Sequence, residues 1–402
     1  MDRSTLRPHI DREMPHLVAF RRDLHRHPEL SYQERRTSAR VHAELEALGI
    51  ACRAGLAGGT GLIAHLPAAT ADHNDGAVAL RADMDALPIE ERTGREYASG
   101  TPGVMHACGH DGHTTILLGA ARVLSRVERP RPVTLLFQPA EEGGAGADRL
   151  CREGALAGES GGGIGAPVSR IYGLHGWPQL PLGSVATRPG ELLAATDDFV
   201  VAIRGVGGHA AFPHLARDPV LAGAHAVVML QSIASRETSP LDAVVCTVAR
   251  FTGGSASNII PASVELEGTV RTLRASTRRD AKESFFRIVE GAAAAAGCRA
   301  EIRWDEGYPA TINDAGLTER FFAVARSTLG PERVTLAPEP VMGGEDFSFY
   351  GRHVPACFFM LGLLPPGADP ATTPKLHQAE FDFNDDALAT GVEMMCRLAL
   401  EG

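Results

Sequence analysis

The run Val133-Thr134-Leu135-Leu136-Phe137-Gln138-Pro139-Ala140-Glu141-Glu142 passes from a largely apolar strand to two adjacent acids. A strand apolar on both faces belongs inside a sheet that is covered on both sides, and Pro139 ends it. The same texture recurs outward along the chain. Ala77-Val78-Ala79-Leu80-Arg81-Ala82 ends in Asp83-Met84-Asp85, and Ser169-Arg170-Ile171-Tyr172-Gly173-Leu174 ends in His175. Ala356-Cys357-Phe358-Phe359-Met360-Leu361 is a fourth buried strand. Helical periodicity over 10–27 and 33–48 (with Gly49 as a stop), an apolar helix over roughly 114–127 and a closing helix over 384–400 alternate with these strands. The order predicts an α/β fold with a mostly parallel central sheet.

Between these parts the pattern changes. Residues 198–204 alternate as a strand and 218–235 read as a helix. Strands at 243–251 and 262–272, an Ala-rich helix at 278–296 and a strand at 299–304 follow. That β-α-β-β-α-β order predicts a ferredoxin-like α+β domain over 196–306, inserted into a larger domain made of 1–195 and 307–402. Gly158-Glu159-Ser160-Gly161-Gly162 fits G-x-S-x-G, and Gly161, Gly163 and Ala166 fit G-x-G-x-x-A. Both motifs need a strand before and a helix after. Here a helical segment precedes, and Pro167 and a strand follow, so the stretch reads as a loop.

Composition narrows the chemistry. The 402 residues carry a net charge of −10, without a Lys/Arg run that could track phosphates, which argues against nucleic acid and anionic membranes as partners. Of 39 basic residues only Lys282 and Lys375 are lysines, and neither ends a G-x-x-x-x-G-K-[ST] loop. Sixteen histidines are a large stock of the side chain that titrates near neutrality and binds metals. The seven cysteines are scattered, odd in number and free of C-x-x-C pairs. With no apolar core in Met1-Asp2-Arg3-Ser4-Thr5 and no long apolar span, they predict a soluble protein of the reducing cytoplasm.

His106-Ala107-Cys108-Gly109-His110-Asp111-Gly112-His113 is the densest cluster. Thiolate and imidazole suit zinc and related divalent metals. A helix N-terminus capped by Asp111 would account for a single histidine; several candidate ligands in eight residues point to a metal. Adjacent glutamates are ordinarily solvated charge, yet Glu141-Glu142 begins the turn after an apolar strand. In open α/β sheets, ligand sites lie beyond the carboxyl ends of the strands. Asp83/Asp85, Glu141/Glu142 and His175 all stand at such ends, so the fold gathers metal-type ligands along one edge. A two-metal site needs ligands on each ion and one carboxylate off the metal to carry a proton, and a Glu-Glu pair supplies both kinds. The residues therefore predict a metal-dependent hydrolase, with amide, ester and phosphoester bonds all open.

Arg81–Ile89, His106–His113, Gln138–Glu142, Gly207-Gly208-His209-Ala210-Ala211 and Gly344-Glu345-Asp346-Phe347 together resemble the hippurate hydrolase/N-acyl-amino-acid amidohydrolase family. That family includes the auxin-conjugate hydrolases and belongs to the dinuclear aminoacylases and carboxypeptidase G-type enzymes. The resemblance runs in order from about residue 10 to 400. It implies a zinc-peptidase-like catalytic domain and an inserted lid that also dimerises. It implies that Cys108, His110, Glu142, His175 and His377 hold two divalent ions, with His110 or a neighbour as the bridge. Zinc or manganese is expected, with cobalt or nickel as further options. Glu141 would be general base and acid, Asp85 the carboxylate that orients a ligand, and His106 and His113 supporting groups. His209 and Asn258 would reach the substrate carbonyl or carboxylate, His209 in cis or across a homodimer. Arg271 is a further candidate for carboxylate binding, with a solvated strand arginine as its bland alternative.

Gly176 after His175, Gly344 in Gly343-Gly344-Glu345-Asp346 and Ala379 after His377-Gln378 depart from the family pattern without removing a ligand. They bear on pocket shape. The expected reaction is hydrolysis of an N-acyl-amino acid. The alternatives are a dipeptidase or carboxypeptidase-like hydrolase on the same scaffold, and a non-catalytic ligand-binding relative.

Overall fold

The computed structural model describes residues 6–69 and 76–402, so the polar start Met1–Thr5 lies outside the described residues. The chain divides into two compact units. The larger comprises Met1–Leu192, Ile312–Glu339 and Asp346–Gly402, and the smaller comprises Leu193–Thr311 and Pro340–Glu345.

The larger unit opens with helices α1 (Arg7–Arg26) and α2 (Arg35–Ala47) and strands β1 (Ala51–Leu56), β2 (Gly61–Leu66) and β3 (Ala77–Asp83). Helix α3 (His110–Leu124), strand β4 (Val133–Gln138), helix α4 (Gly146–Arg152) and strands β5 (Val168–Pro181) and β6 (Val185–Thr187) follow. The smaller unit supplies β7 (Ala195–Arg204), α5 (Pro219–Ser232), β8 (Val244–Gly253), β9 (Ser263–Thr272), α6 (Ala275–Ala295) and β10 (Arg299–Glu306). The chain then completes the larger unit with α7 (Ala315–Leu329), β11 (Val334–Leu336), β12 (Ala356–Leu364) and α8 (Leu388–Glu401).

The large sheet has the order β1-β2-β4-β3-β5-β12-β6-β11. Its four middle strands, β4, β3, β5 and β12, run parallel, and β3, β4 and β12 are buried along their whole length. This is the two-faced burial that the apolar runs predict. Helix α3 is buried on every side except at Arg122. Leu17 of α1 and Val392 of α8 crowd Gly119 so closely that an added Cβ would meet them at 2.8 and 2.6 Å. The small sheet is antiparallel, in the order β8-β9-β7-β10, and α5 and α6 pack against it through a core of its own. Among the described residues no helix is long and apolar enough to cross a membrane.

Three local differences from the sequence reading have physical causes. Helix α3 begins at His110, not near 114, because His113 and Gly112 already donate to the Gly109 carbonyl. Gly112 serves close packing there, since a Cβ would meet the Phe383 ring at 2.5 Å. Strand β5 continues past His175 to Pro181. Its pairing with β3 ends at Gly173, so Pro178 removes no bond on that side. Helix α7, not predicted, has an Asp314 cap accepting from the Leu317 N–H and Gly330 at its end.

Candidate metal centre

Strands β3 and β4 place their acids at one end of the parallel sheet. Asp83 closes β3, Asp85 follows it, and Glu141 and Glu142 follow β4. His175 lies on β5 two residues beyond Gly173, the last residue paired with β3. The left-handed Gly109 (φ 86°) turns the chain between Cys108 and His110 and starts α3. His377 arrives on the loop after β12, its N–H donating to the Ala107 carbonyl.

Five side chains from these segments fall into two overlapping groups. Cys108, His110 and His175 form one and Cys108, Glu142 and His377 the other, with the candidate ligand atoms of each within 4.8 Å of one another. Cys108 Sγ lies 3.2 Å from His175 Nε2, and His377 Nε2 lies 3.2 Å from Glu142 Oε1. The donor set fits a cation. His110 Nε2 and Glu142 Oε1 are buried and make no hydrogen bond. His175 donates Nδ1–H to the Gly176 carbonyl at 2.8 Å, which leaves Nε2 as the lone-pair atom. Burial, with His113 beside it, pushes His175 well below the usual histidine range, so the ring is neutral and able to ligate. Burial would pull His110 down, but Asp83, Asp85 and Glu142 push it up to about 10. The carboxylates thus create a potential that attracts positive charge.

Asp85 organises the cluster. Its Oδ1 accepts the Glu141 N–H at 3.0 Å and faces His110 Nδ1 at 3.2 Å, and its Oδ2 accepts the Glu142 N–H at 3.0 Å. Against the cost of burial, the bonds from His110, Ser31 and the Glu142 amide hold Asp85 below the carboxylate range. Asp83 is committed elsewhere: Oδ1 meets His113 Nδ1 at 2.7 Å and Oδ2 meets Arg81 Nη1 at 2.6 Å. The other ring nitrogen of His113 accepts the Gly176 N–H at 2.7 Å. Of the other groupings, the trio of Asp83, His110 and His113 therefore has only His110 to offer an ion, and Glu141 stands with His110 and Glu142 in another. The sequence reading counted Asp83 among the metal-type residues at strand ends and gave Arg81 and Asp346 no role. Arg81 joins the two acids, its Nη2 reaching Asp346 Oδ1 at 2.8 Å, and the Asp346 N–H faces Glu141 Oε1 at 3.4 Å. A charged pair spaced two apart on a buried strand, Arg81 and Asp83, was the available signal.

In the smaller unit, His209 and Asn258 come together. His209 pairs with Ile259 on a two-stranded ladder, and the Ala210 N–H donates to the Asn258 carbonyl at 3.0 Å. The Ala211 N–H donates to His209 Nδ1 at 3.0 Å, and the ring is exposed. Arg271 stands apart, at the far end of β9 from the Asn258 segment, roughly 25 Å along the strand at about 3.3 Å per residue. It lies half-buried, its Nη1 against Thr269 and 3.8 Å from Asp198.

A mostly parallel sheet that gathers imidazole, thiolate and paired carboxylates at its carboxyl edge defines a hydrolase of the metallopeptidase/amidohydrolase class. The chain belongs to peptidase family M20/M25/M40, whose sequence pattern matches residues 79–401. It is 40% identical over 389 residues to IAA-amino acid hydrolase ILR1-like 4 of Arabidopsis thaliana, covering 95% of this chain and 84% of that one. It is 41% identical over 350 residues to the N-acetyl-L-cysteine deacetylase of Bacillus subtilis, covering 86% and 80%. Among solved structures it is similar to the YXEP protein of Bacillus subtilis, described as a dinuclear metal-binding peptidase. The TM-score is 0.81 and the identity 34%, over 97% of this chain and 98% of that one.

Beneath α3 lies a largely buried ionic network. Asp111 Oδ2 meets Arg21 Nε and His25 Nδ1, each at 2.8 Å, and His25 Nε2 lies 3.3 Å from Glu91. Burial opposes the charged imidazole, but Asp111 and Glu91 push His25 up to about 9. A folded-state value above the unfolded one means that the contribution is complete below about pH 6.5 and disappears as pH rises through 9. Denaturation of the wild type should therefore show stability falling between pH 6.5 and 9, with a flatter profile for His25→Gln. Parallel profiles would remove His25 from this role.

Proposed function

We propose that the protein hydrolyses the amide bond of N-acyl-amino acids. The observation that carries this reading is the acid pair: Glu142 lies with Cys108 and His377, while Glu141, which with Glu142 also borders His110, has its backbone fixed by Asp85 and its Oε1 facing the Asp346 N–H at 3.4 Å. Cys108, His110, Glu142, His175 and His377 would hold two divalent ions, zinc or manganese by donor chemistry, with cobalt or nickel also suited to these ligands. Bound there, such a pair polarises the amide carbonyl and makes a water more acidic. Glu141 accepts the proton of the attacking water and delivers it to the leaving α-amine as the C–N bond breaks, giving a carboxylic acid and a free amino acid. His209, with Nδ1 occupied by the Ala211 N–H, has Nε2 available to donate to the substrate carbonyl, and Asn258 is its neighbour for the carboxylate. Arg271 is tied to its own sheet and is the weaker candidate for that carboxylate.

The names of the relatives point to N-acetyl-amino acids and auxin–amino acid conjugates as the first substrates to try. A metal-reconstituted screen over hippurate, N-acetyl-amino acids, auxin conjugates and dipeptides should show release of the amino acid from an N-acyl substrate. In the same assay Glu141→Ala should lower kcat by about 10²–10⁴-fold with metal content unchanged. Turnover of dipeptides alone would favour the dipeptidase alternative, and a near-wild-type Glu141→Ala would remove the base assignment.

The smaller unit also carries a surface suited to a second copy of this chain. Helix α5 carries apolar side chains on its exposed as well as its buried faces. Ala222, Ala226 and Leu230 are buried, while Val220, Leu221, Val228 and Met229 remain 40–73% exposed. Strand β8 is a free edge of the sheet with Val245 and Phe251 exposed. An isologous homodimer would pair two such edges and cover both helices. Light scattering should give a dimer mass for the wild type and a monomer mass for Val228→Asp; a monomeric wild type contradicts the assignment.

A further inference from the structure

The turn that carries Glu141 is held in a backbone conformation its residues disfavour. Ala140 and Ala145 are both left-handed, with φ 55° and 54°. Non-glycine residues persist in that region where the surroundings over-determine them. Asp85 supplies part of the constraint through the Glu141 and Glu142 amides. A further part comes from a segment more than a hundred residues upstream.

Glu34 is fully buried. Its Oε1 accepts the Ala140 N–H at 2.9 Å and the Tyr32 N–H at 2.9 Å, and its Oε2 accepts the Thr60 hydroxyl at 2.8 Å. Tyr32, itself left-handed at φ 63°, donates its hydroxyl to the Gly144 carbonyl. Gly144 is needed there, because a Cβ would come within 2.9 Å of the Tyr32 ring. The Arg149 guanidinium covers the ring at 4.1 Å from its centroid. Ser31 donates its hydroxyl to Asp85 Oδ2 at 2.7 Å, with the Glu142 carbonyl 3.2 Å away. The start, middle and end of the acid turn are thus each gripped by one residue of the 31–34 segment.

We propose that Ser31, Tyr32 and Glu34 form a brace that sets the position of the Glu141 carboxylate for proton transfer, with Glu34 as its anchor at Ala140. This rests on reading Glu141 as the proton carrier. None of the three touches the reacting atoms; they are positioning residues. Without the Glu34 acceptor, the Ala140 N–H is left unpaired in a buried site and its left-handed conformation loses its support. The carboxylate one residue on then moves, and a displacement of about 1 Å can cost about 10² in rate.

The test is steady-state kinetics on the full chain, with hippurate or the N-acyl-amino acid that the wild type turns over fastest, and metal stoichiometry measured on every variant. Glu34→Ala should lower kcat by roughly 10–100-fold with KM and metal content within about two-fold of wild type. Glu34→Gln should recover kcat to within about three-fold, because the amide oxygen still accepts both N–H groups and the amide nitrogen can donate to Thr60. Tyr32→Phe, which deletes one hydroxyl, should fall between them. A wild-type kcat in Glu34→Ala and Tyr32→Phe, alongside an impaired Glu141→Ala, overturns the brace alone. So does a Glu34→Ala loss matched by metal loss, or a Glu34→Gln as impaired as the alanine variant. If Glu34→Ala fails to fold, Tyr32→Phe at wild-type kcat overturns it. A Glu141→Ala of undiminished rate overturns the underlying reading instead.

Discussion

The interaction on which the site depends is the Asp85 carboxylate. One oxygen takes the Glu141 amide and faces the His110 ring, and the other takes the Glu142 amide and the Ser31 hydroxyl. A buried carboxylate with no partners would protonate, whereas these donors favour its charged form. Through it, the end of β3, the turn after β4 and the start of α3 become one rigid object. The position of an acid pair on one strand is thereby referred to an imidazole on a helix.

Around that object His110 and His175 each have a second contact that decides which ring nitrogen they present. His175 spends Nδ1–H on the Gly176 carbonyl, and the Gly176 amide is held by His113, which Asp83 orients in turn. Gly176 has no room for a side chain, since a Cβ would meet Leu363 and Phe383 at 2.9 Å. This departure from the family pattern therefore belongs to the support of His175. The sixteen histidines noted in the sequence divide accordingly. His110, His175 and His377 face the centre, and His25 and His113 hold the elements that carry them.

The parts legible in the sequence were those whose cause is local. Apolar runs ending in acids identify β3 and β4 and their place in a parallel sheet, and the metal-type residues at strand ends follow from the topology. The β-α-β-β-α-β texture of the smaller unit is likewise a matter of short-range periodicity. The start of α3 was not legible, because Gly112 reads as a loop residue until Phe383 is packed against it. Nor was the linkage of Ser31, Tyr32 and Glu34 to the acid turn, which spans 106 to 112 residues for its contacts with Ala140, Glu142 and Gly144. The hairpin β1–β2 escaped because β1 is mostly exposed and shows no clean alternation. Helix α7 had its cap and stop in plain view, at Asp314 and Gly330.

The division of labour between the two glutamates is the centre of the account. It is tested most directly by anomalous diffraction from crystals of the protein loaded with zinc or manganese. The account predicts two metal peaks whose protein ligands are drawn from Cys108, His110, Glu142, His175 and His377, with the Glu141 carboxylate outside both coordination spheres. A single ion held by Asp83 and His113, or a peak ligated by Glu141, would contradict it.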